Sequence, residues 1–191
     1  MLDLYDEFKA IIGALNQCKI DYAVCGGLAM AVYGLARATV DIDLLIAADD
    51  FEHVKAAVQP LGYTIEAMPM TFAKGAVEIR HLSKIDKETG IVLSLDLLLV
   101  TPQIEGAWKS RINVEWETEA LPVASREGLM ILESLGASDP HEADKQKVDM
   151  SPQAVTARLK LVSQLRRLCL SLATARPINP PAKPNEKAPA R

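Results

Sequence analysis

Leu4, Phe8, Ile11, Ile12 and Leu15 recur at spacings of three and four, so residues 2–19 read as an amphipathic helix with one apolar stripe. The period then changes. Tyr22-Ala23-Val24-Cys25 is a short apolar run stopped by Gly26-Gly27, the mark of a buried strand entering a tight turn. Leu28, Ala31, Val32 and Leu35 return to helical spacing, which predicts a helix over 28–34 ended by Gly34. Residues 40–46 predict a strand, because Val40, Ile42 and Leu44 alternate with Asp41 and Asp43 before the run turns wholly apolar. Asp49-Asp50 then offer an N-cap to a helix carrying Phe51, Val54, Ala57 and Val58, which ends near Pro60 and Gly62.

Further along, residues 76–82 alternate as a strand, residues 84–90 form a polar turn, and residues 91–100 are the most apolar run in the chain. Residues 111–118 alternate again, as a strand that completes the sheet or forms its edge. Trp108 and Trp116 read as core anchors. Ser125 caps a helix over 127–135, and Ser151-Pro152 opens a last helix through Val155, Leu159, Val162, Leu165 and Leu168 to about Leu172. Arg158, Lys160, Arg166 and Arg167 line the other faces of that helix, a basic face open to contact with an RNA substrate or, more commonly, complementing the helix dipole. Residues 176–191 are rich in proline and lack apolar periodicity, so they are expected as a flexible or extended tail.

A length of 191 residues suits one domain, and 49% hydrophobic residues with only 5% aromatics mean a core built from Leu, Val, Ile and Ala. With alternating helical and strand patterns, that describes an α/β (α+β) protein. A formal charge of −4 argues against broad electrostatic capture of nucleic acid. Cys18, Cys25 and Cys169 show no C-x-x-C spacing, which indicates neither a zinc site nor a disulfide framework and suits the reduced thiols of a cytoplasmic protein. No apolar run approaches the roughly 20 residues of a membrane helix, so no membrane partner is expected.

The chemistry concentrates between Tyr22 and Ile46. As strand residues, Asp41 and Asp43 share one face about 6–7 Å apart, and their mutual repulsion calls for a cation or a row of donors. Magnesium suits such a pair, since it takes hard oxygen ligands and is commonly shared between one or two carboxylates and substrate phosphates. Gly26 and Gly27 let backbone approach a ligand closely at the start of a helix whose dipole favours phosphate. Asp96 is the one acid within residues 91–100, and burying it there requires a partner.

Gly26-Gly27 followed by Arg37-x-Thr39-x-Asp41-Ile42-Asp43 resembles the signature of the nucleotidyltransferases related to DNA polymerase β, in particular the small bacterial ones that include nucleotidyltransferase toxins. The match is dense over about 25 residues and weaker beyond them. The resemblance implies a mixed-sheet core flanked by helices over 1–120, a helical C-terminal part over 121–175 and a tail over 176–191. It makes Asp96 the third carboxylate and the general base. Asp41, Asp43 and Asp96 would then hold two Mg²⁺ ions with a bound nucleoside triphosphate, while Gly26, Gly27 and Thr39 contact the nucleotide, Arg37 either contacts phosphate or pairs with one of the Asp residues to hold the strand entry, and Lys145 or Lys147 substitutes for a nucleotide-binding Lys. It leaves the acceptor hydroxyl open between a tRNA end, a protein hydroxyl and a small alcohol, and admits a small antitoxin as partner.

The second half departs from that pattern. Glu133 stands where the small relatives tend to carry a Lys, and Lys145-Gln146-Lys147-Val148-Asp149 keeps only part of their Lys/Asp cluster. A Lys there would contact the triphosphate as a compact positive charge. Its absence raises the alternative of a nucleotide-binding or interaction module without turnover.

Overall fold

Asp3 opens α1 (Leu4–Gln17) as its N-cap, its carboxylate accepting from the backbone N–H groups of Tyr5 at 2.9 Å and Asp6 at 3.4 Å. The stripe of Leu4, Phe8, Ile11, Ile12 and Leu15 is buried as the spacing requires. The computed structural model of the chain describes residues 3–35, 41–88, 90–136 and 151–178. From α1 the chain passes through β1 (Tyr22–Val24), α2 (Gly26–Val32), β2 (Asp41–Ile46) and α3 (Phe51–Val58). Two short strands, β3 (Ile65–Glu66) and β4 (Met70–Phe72), precede the long hairpin of β5 (Val77–Ile85) and β6 (Val92–Leu99). Then follow α4 (Glu105–Lys109), the hairpin of β7 (Ile112–Trp116) and β8 (Glu119–Val123), α5 (Arg126–Ser134), α6 (Pro152–Leu172) and β9 (Arg176–Pro177).

The strands make one mixed sheet in the order β3-β5-β6-β2-β1-β8-β7-β9, with β4 also on β5. β2 runs parallel to β6 and β1 parallel to β8, while the other pairs are antiparallel. Alternation along the central strands gives the two faces different jobs. Ile42, Leu44 and Ile46 of β2 join Leu93, Leu95, Leu97 and Leu99 of β6 in the larger core, which α1, α3 and α6 help to cover. On the opposite face Leu45 and Leu98 join Ala23, Cys25, Val77 and Ile79 in a smaller core that includes Ile104, Ala107 and Leu132 from the α4–α5 region.

Four local readings change. α2 starts at Gly26, two residues early, because positive φ at Gly26 (59°) turns the strand directly into the helix. It closes before Gly34, whose φ of 79° permits the Leu35 N–H to bond the Met30 carbonyl at 3.0 Å, and Leu35 is left 62% exposed outside the helical stripe. Residues 121–123, expected as the approach to the helical part, belong to β8. Pro122 argues against a strand in mid-sheet, but β8 joins β1 only through Val24 and Val123, past the proline. Finally, Arg176 and Pro177 are not tail: they pair with Glu115 and Val114 of β7, and the Ile178 N–H bonds the Asn113 carbonyl at 2.9 Å.

Candidate functional site

The parallel register of β2 and β6 sets Asp41 opposite Ser94 and Asp43 opposite Asp96. Residues opposite each other in a ladder point to the same face, so the three acids occupy one surface. It is the face of the smaller core, at the end of the strands where Leu45 and Leu98 have given way to polar residues. Asp96 is 7% exposed, and Asp41 and Asp43 are half-buried.

Gly26 abuts this surface. A Cβ added to Gly26 would stand 2.0 Å from Asp43 Oδ2 and 2.6 Å from its carboxyl carbon, so the room left by the missing side chain is filled by the Asp43 carboxylate. The preceding residue locks the same pair, since the Cys25 N–H donates to the Asp43 carbonyl at 3.0 Å. Cys25 itself is fully buried. Burial first, and then the charges of Asp43 and Asp96, push its thiol well above the usual cysteine range, so it is an inert neighbour and not a nucleophile. Gly27 is buried within α2.

The sheet adds one residue that the sequence reading missed. His81 of β5 is opposite Asp96 in the antiparallel ladder, and its Nδ1 pairs with Asp96 Oδ1. The signal was available in the hairpin. Pairing strands across the 86–91 turn sets Ile85 opposite Val92 and therefore His81 opposite Asp96, where a lone imidazole on the inward side of residues 76–82 could have been noticed.

The Asp96 hydrogen bond, aided by the charges of Asp96 and Asp41, raises the His81 pKa against the lowering effect of burial. A folded-state pKa above the unfolded value of about 6.5 means that the protonated ring favours folding. Its contribution is complete below that unfolded value and disappears as pH climbs through the raised one. Thermal melts of metal-free protein should therefore show stability falling above about pH 6.5, and His81→Asn should remove that part of the slope. Parallel pH profiles for the two proteins would refute the pairing.

Magnesium fits the donors to a defined extent. Among the described residues no group of three or more His, Cys, Asp or Glu side chains stands in a metal-holding arrangement, and Asp96 is engaged by His81. The face therefore offers carboxylate oxygens from two adjacent strands and no closed protein cage. That suits a hard cation which completes its octahedron with phosphate oxygens and water. Arg37, Thr39 and Lys145, expected to contact nucleotide, lie outside the described residues, as do Lys147 and Asp149. Glu133 is exposed on α5.

No protein-family model matches the chain, and a comparison with curated proteins returns no match. Among solved structures, the chain is similar to a candidate nucleotidyltransferase from Thermotoga maritima at 13% identity and TM-score 0.48, covering 84% of this chain and 88% of that one. It is also similar to ANT(2'')-Ia in complex with adenylyl-2''-tobramycin, at 12% identity and TM-score 0.44, covering 86% and 94%. A candidate nucleotidyltransferase from H. pylori is 18% identical with TM-score 0.42, covering 89% and 90%. At these scores the likeness carries no functional argument, which rests on the side chains described above.

Proposed function

We propose that this chain is a magnesium-dependent nucleotidyltransferase, which moves a nucleoside monophosphate from a nucleoside triphosphate to an acceptor hydroxyl. The observation that carries the reading is the register of Asp43 against Asp96, with Asp41 on the same face and the Gly26 turn packed onto the Asp43 carboxylate. Carboxylate oxygens gathered on one face are the hard donors that a cation shared with substrate phosphates takes.

Asp41 and Asp43 are the residues that would hold Mg²⁺, with Asp96 beside them. The ion supplies neutralisation of triphosphate charge and a lowered pKa at the acceptor oxygen. Asp96 takes the acceptor's proton as the oxygen attacks the α-phosphorus; the new P–O bond forms while the bond to the β-phosphate breaks and pyrophosphate leaves. His81, bonded to one Asp96 oxygen, holds the carboxylate so that its second oxygen meets that proton. The short ladder between β2 and β6 keeps these groups aligned without moving parts, and alignment with charge neutralisation is most of what phosphoryl transfer needs.

Glu133 favours a second reading, in which the chain binds nucleotide without turnover or serves a toxin–antitoxin pair as an interaction module. It places a negative charge where the sequence resemblance calls for a positive one. Calorimetric titration with each nucleoside triphosphate, with and without Mg²⁺, followed by pyrophosphate-release assays on tRNA, protein and aminoglycoside-type acceptors, separates the two. Mg²⁺-dependent binding with pyrophosphate release supports transfer, and binding without release in any acceptor series supports the module. Nucleotide binding that ignores both Mg²⁺ and the Asp41/Asp43 pair would overturn the site.

A further inference from the structure

The Gly26 turn stands at the end of β1 with a different strand end on each side of it. On one side is β2, where the Cys25 N–H donates to the Asp43 carbonyl at 3.0 Å. On the other is β8, which ends level with β1: Val24 pairs with Val123, and the Ala124 N–H donates to the Val24 carbonyl at 2.8 Å. α5 starts two residues later, at Arg126. Because β1 separates β2 from β8 in the sheet, the backbones of Asp43 and Ala124 are about 10 Å apart at ordinary strand spacing. The glycine turn lies between them.

Arg126 is exposed and yet held in place. The Tyr33 hydroxyl donates to the Ala124 carbonyl at 2.9 Å, which bridges the end of α2 to the start of α5. The Arg126 guanidinium lies over the Tyr33 ring, 5.1 Å from its centroid. Elsewhere basic groups are engaged within the fold: Arg80 pairs with Glu66, Lys84 with Glu7 and Arg167 with Asp3. Arg111 donates to the Trp108 carbonyl at 2.9 Å and lies 3.8 Å over its ring. Among the described residues no carboxylate pairs with Arg126, so its fork of N–H donors faces outward beside the turn.

We propose that Arg126 binds the β- and γ-phosphates of the nucleoside triphosphate, with Tyr33 as the positioning residue that holds its guanidinium. The inference rests on the nucleotidyltransferase reading above and adds where the leaving group is held. In-line displacement sets the attacking and leaving oxygens on opposite sides of the α-phosphorus. Asp96, the base for the acceptor, is on β6, across β2 from the Gly26 turn. Pyrophosphate therefore departs toward β1 and β8, where Arg126 stands. A guanidinium there meets phosphate oxygens with paired donors and offsets the charge that gathers on them as the bond breaks. A phosphate of an RNA acceptor presents the same oxygens, but the acceptor enters from the Asp96 side.

The test is calorimetry on the full chain in Mg²⁺, titrated with nucleoside triphosphate, pyrophosphate, nucleoside monophosphate and single-stranded RNA. Arg126→Met keeps the length of the side chain over Tyr33 and removes its charge, and its thermal melt should match the parent's because the position is exposed. It should weaken triphosphate and pyrophosphate by roughly tenfold or more and change the monophosphate by less than about twofold. Arg126→Lys should recover part of the loss. Tyr33→Leu should weaken the triphosphate in the parent and add nothing in the Arg126→Met background, a coupling that a purely structural tyrosine does not produce. Unchanged triphosphate affinity in Arg126→Met, where Asp43→Asn lowers it, overturns this inference alone. A parent that binds neither triphosphate nor pyrophosphate removes the nucleotidyltransferase reading and this inference with it. Equal losses for mono- and triphosphate assign Arg126 to the base or ribose, and a loss confined to RNA assigns it to the acceptor; either result overturns the proposal.

Discussion

Asp43→Asn is expected to cut nucleotidyl transfer on the order of a thousandfold while leaving the metal-free protein as stable as the parent or slightly more so. The substitution keeps the side chain's shape, so the fit against Gly26 survives, and it removes one of the negative charges that the β2–β6 register sets side by side. Thermal stability measured with and without Mg²⁺ and nucleoside triphosphate gives the decisive comparison. The parent should gain stability from the pair of ligands by mass action, and the variant should lose most of that gain. An Asp43 that served only the fold would give the opposite pattern. Its conversion to Asn would cost on the order of 1 kcal/mol and leave the ligand-induced shift intact.

What could be read from the chain divides along the range of the interactions involved. Asp41 and Asp43 were legible as a same-face pair because strand alternation is a local property, and Asp96 stood out because an acid in an apolar run has an immediate cost. The Asp96–His81 pair was not legible, because residues 81 and 96 meet only after the hairpin register is fixed. The same limit explains β8. Its alternation of Leu121 and Val123 spans too few residues to outweigh Pro122, and only the position of β1 alongside Val123 shows why the proline is tolerated. β9 is a further case: Arg176 and Pro177 carry no apolar pattern at all, and they join the sheet because α6 delivers them to the open edge of β7. Periodicity also counted Leu159 and Val162 of α6 with Leu165 and Leu168, and the structure buries only the latter two.

The expected cost of Trp116→Ala is about 3–5 kcal/mol, the largest stability loss at any position considered above, and it follows from three contacts on one side chain. Trp116 ends β7 at 4% exposure, with its ring edge-on to Phe8 at 5.3 Å and to Tyr5 at 5.8 Å, both on α1. Its indole Nε1–H donates to the Ser171 hydroxyl at 2.8 Å, near the end of α6. One residue therefore ties the edge of the sheet to two helices, and removing it opens a cavity at their junction. Trp116→Phe should recover much of the loss, leaving about 1 kcal/mol for the hydrogen bond and a smaller packing defect. Ser171→Ala tests the bond alone. Urea unfolding of the three variants, read against a common m-value, orders them as Ala, Phe and then the serine variant from most to least destabilised. If Trp116→Ala costs less than about 1 kcal/mol, Trp116 is not the junction of α1, α6 and β7, and the packing account of the fold fails at that corner.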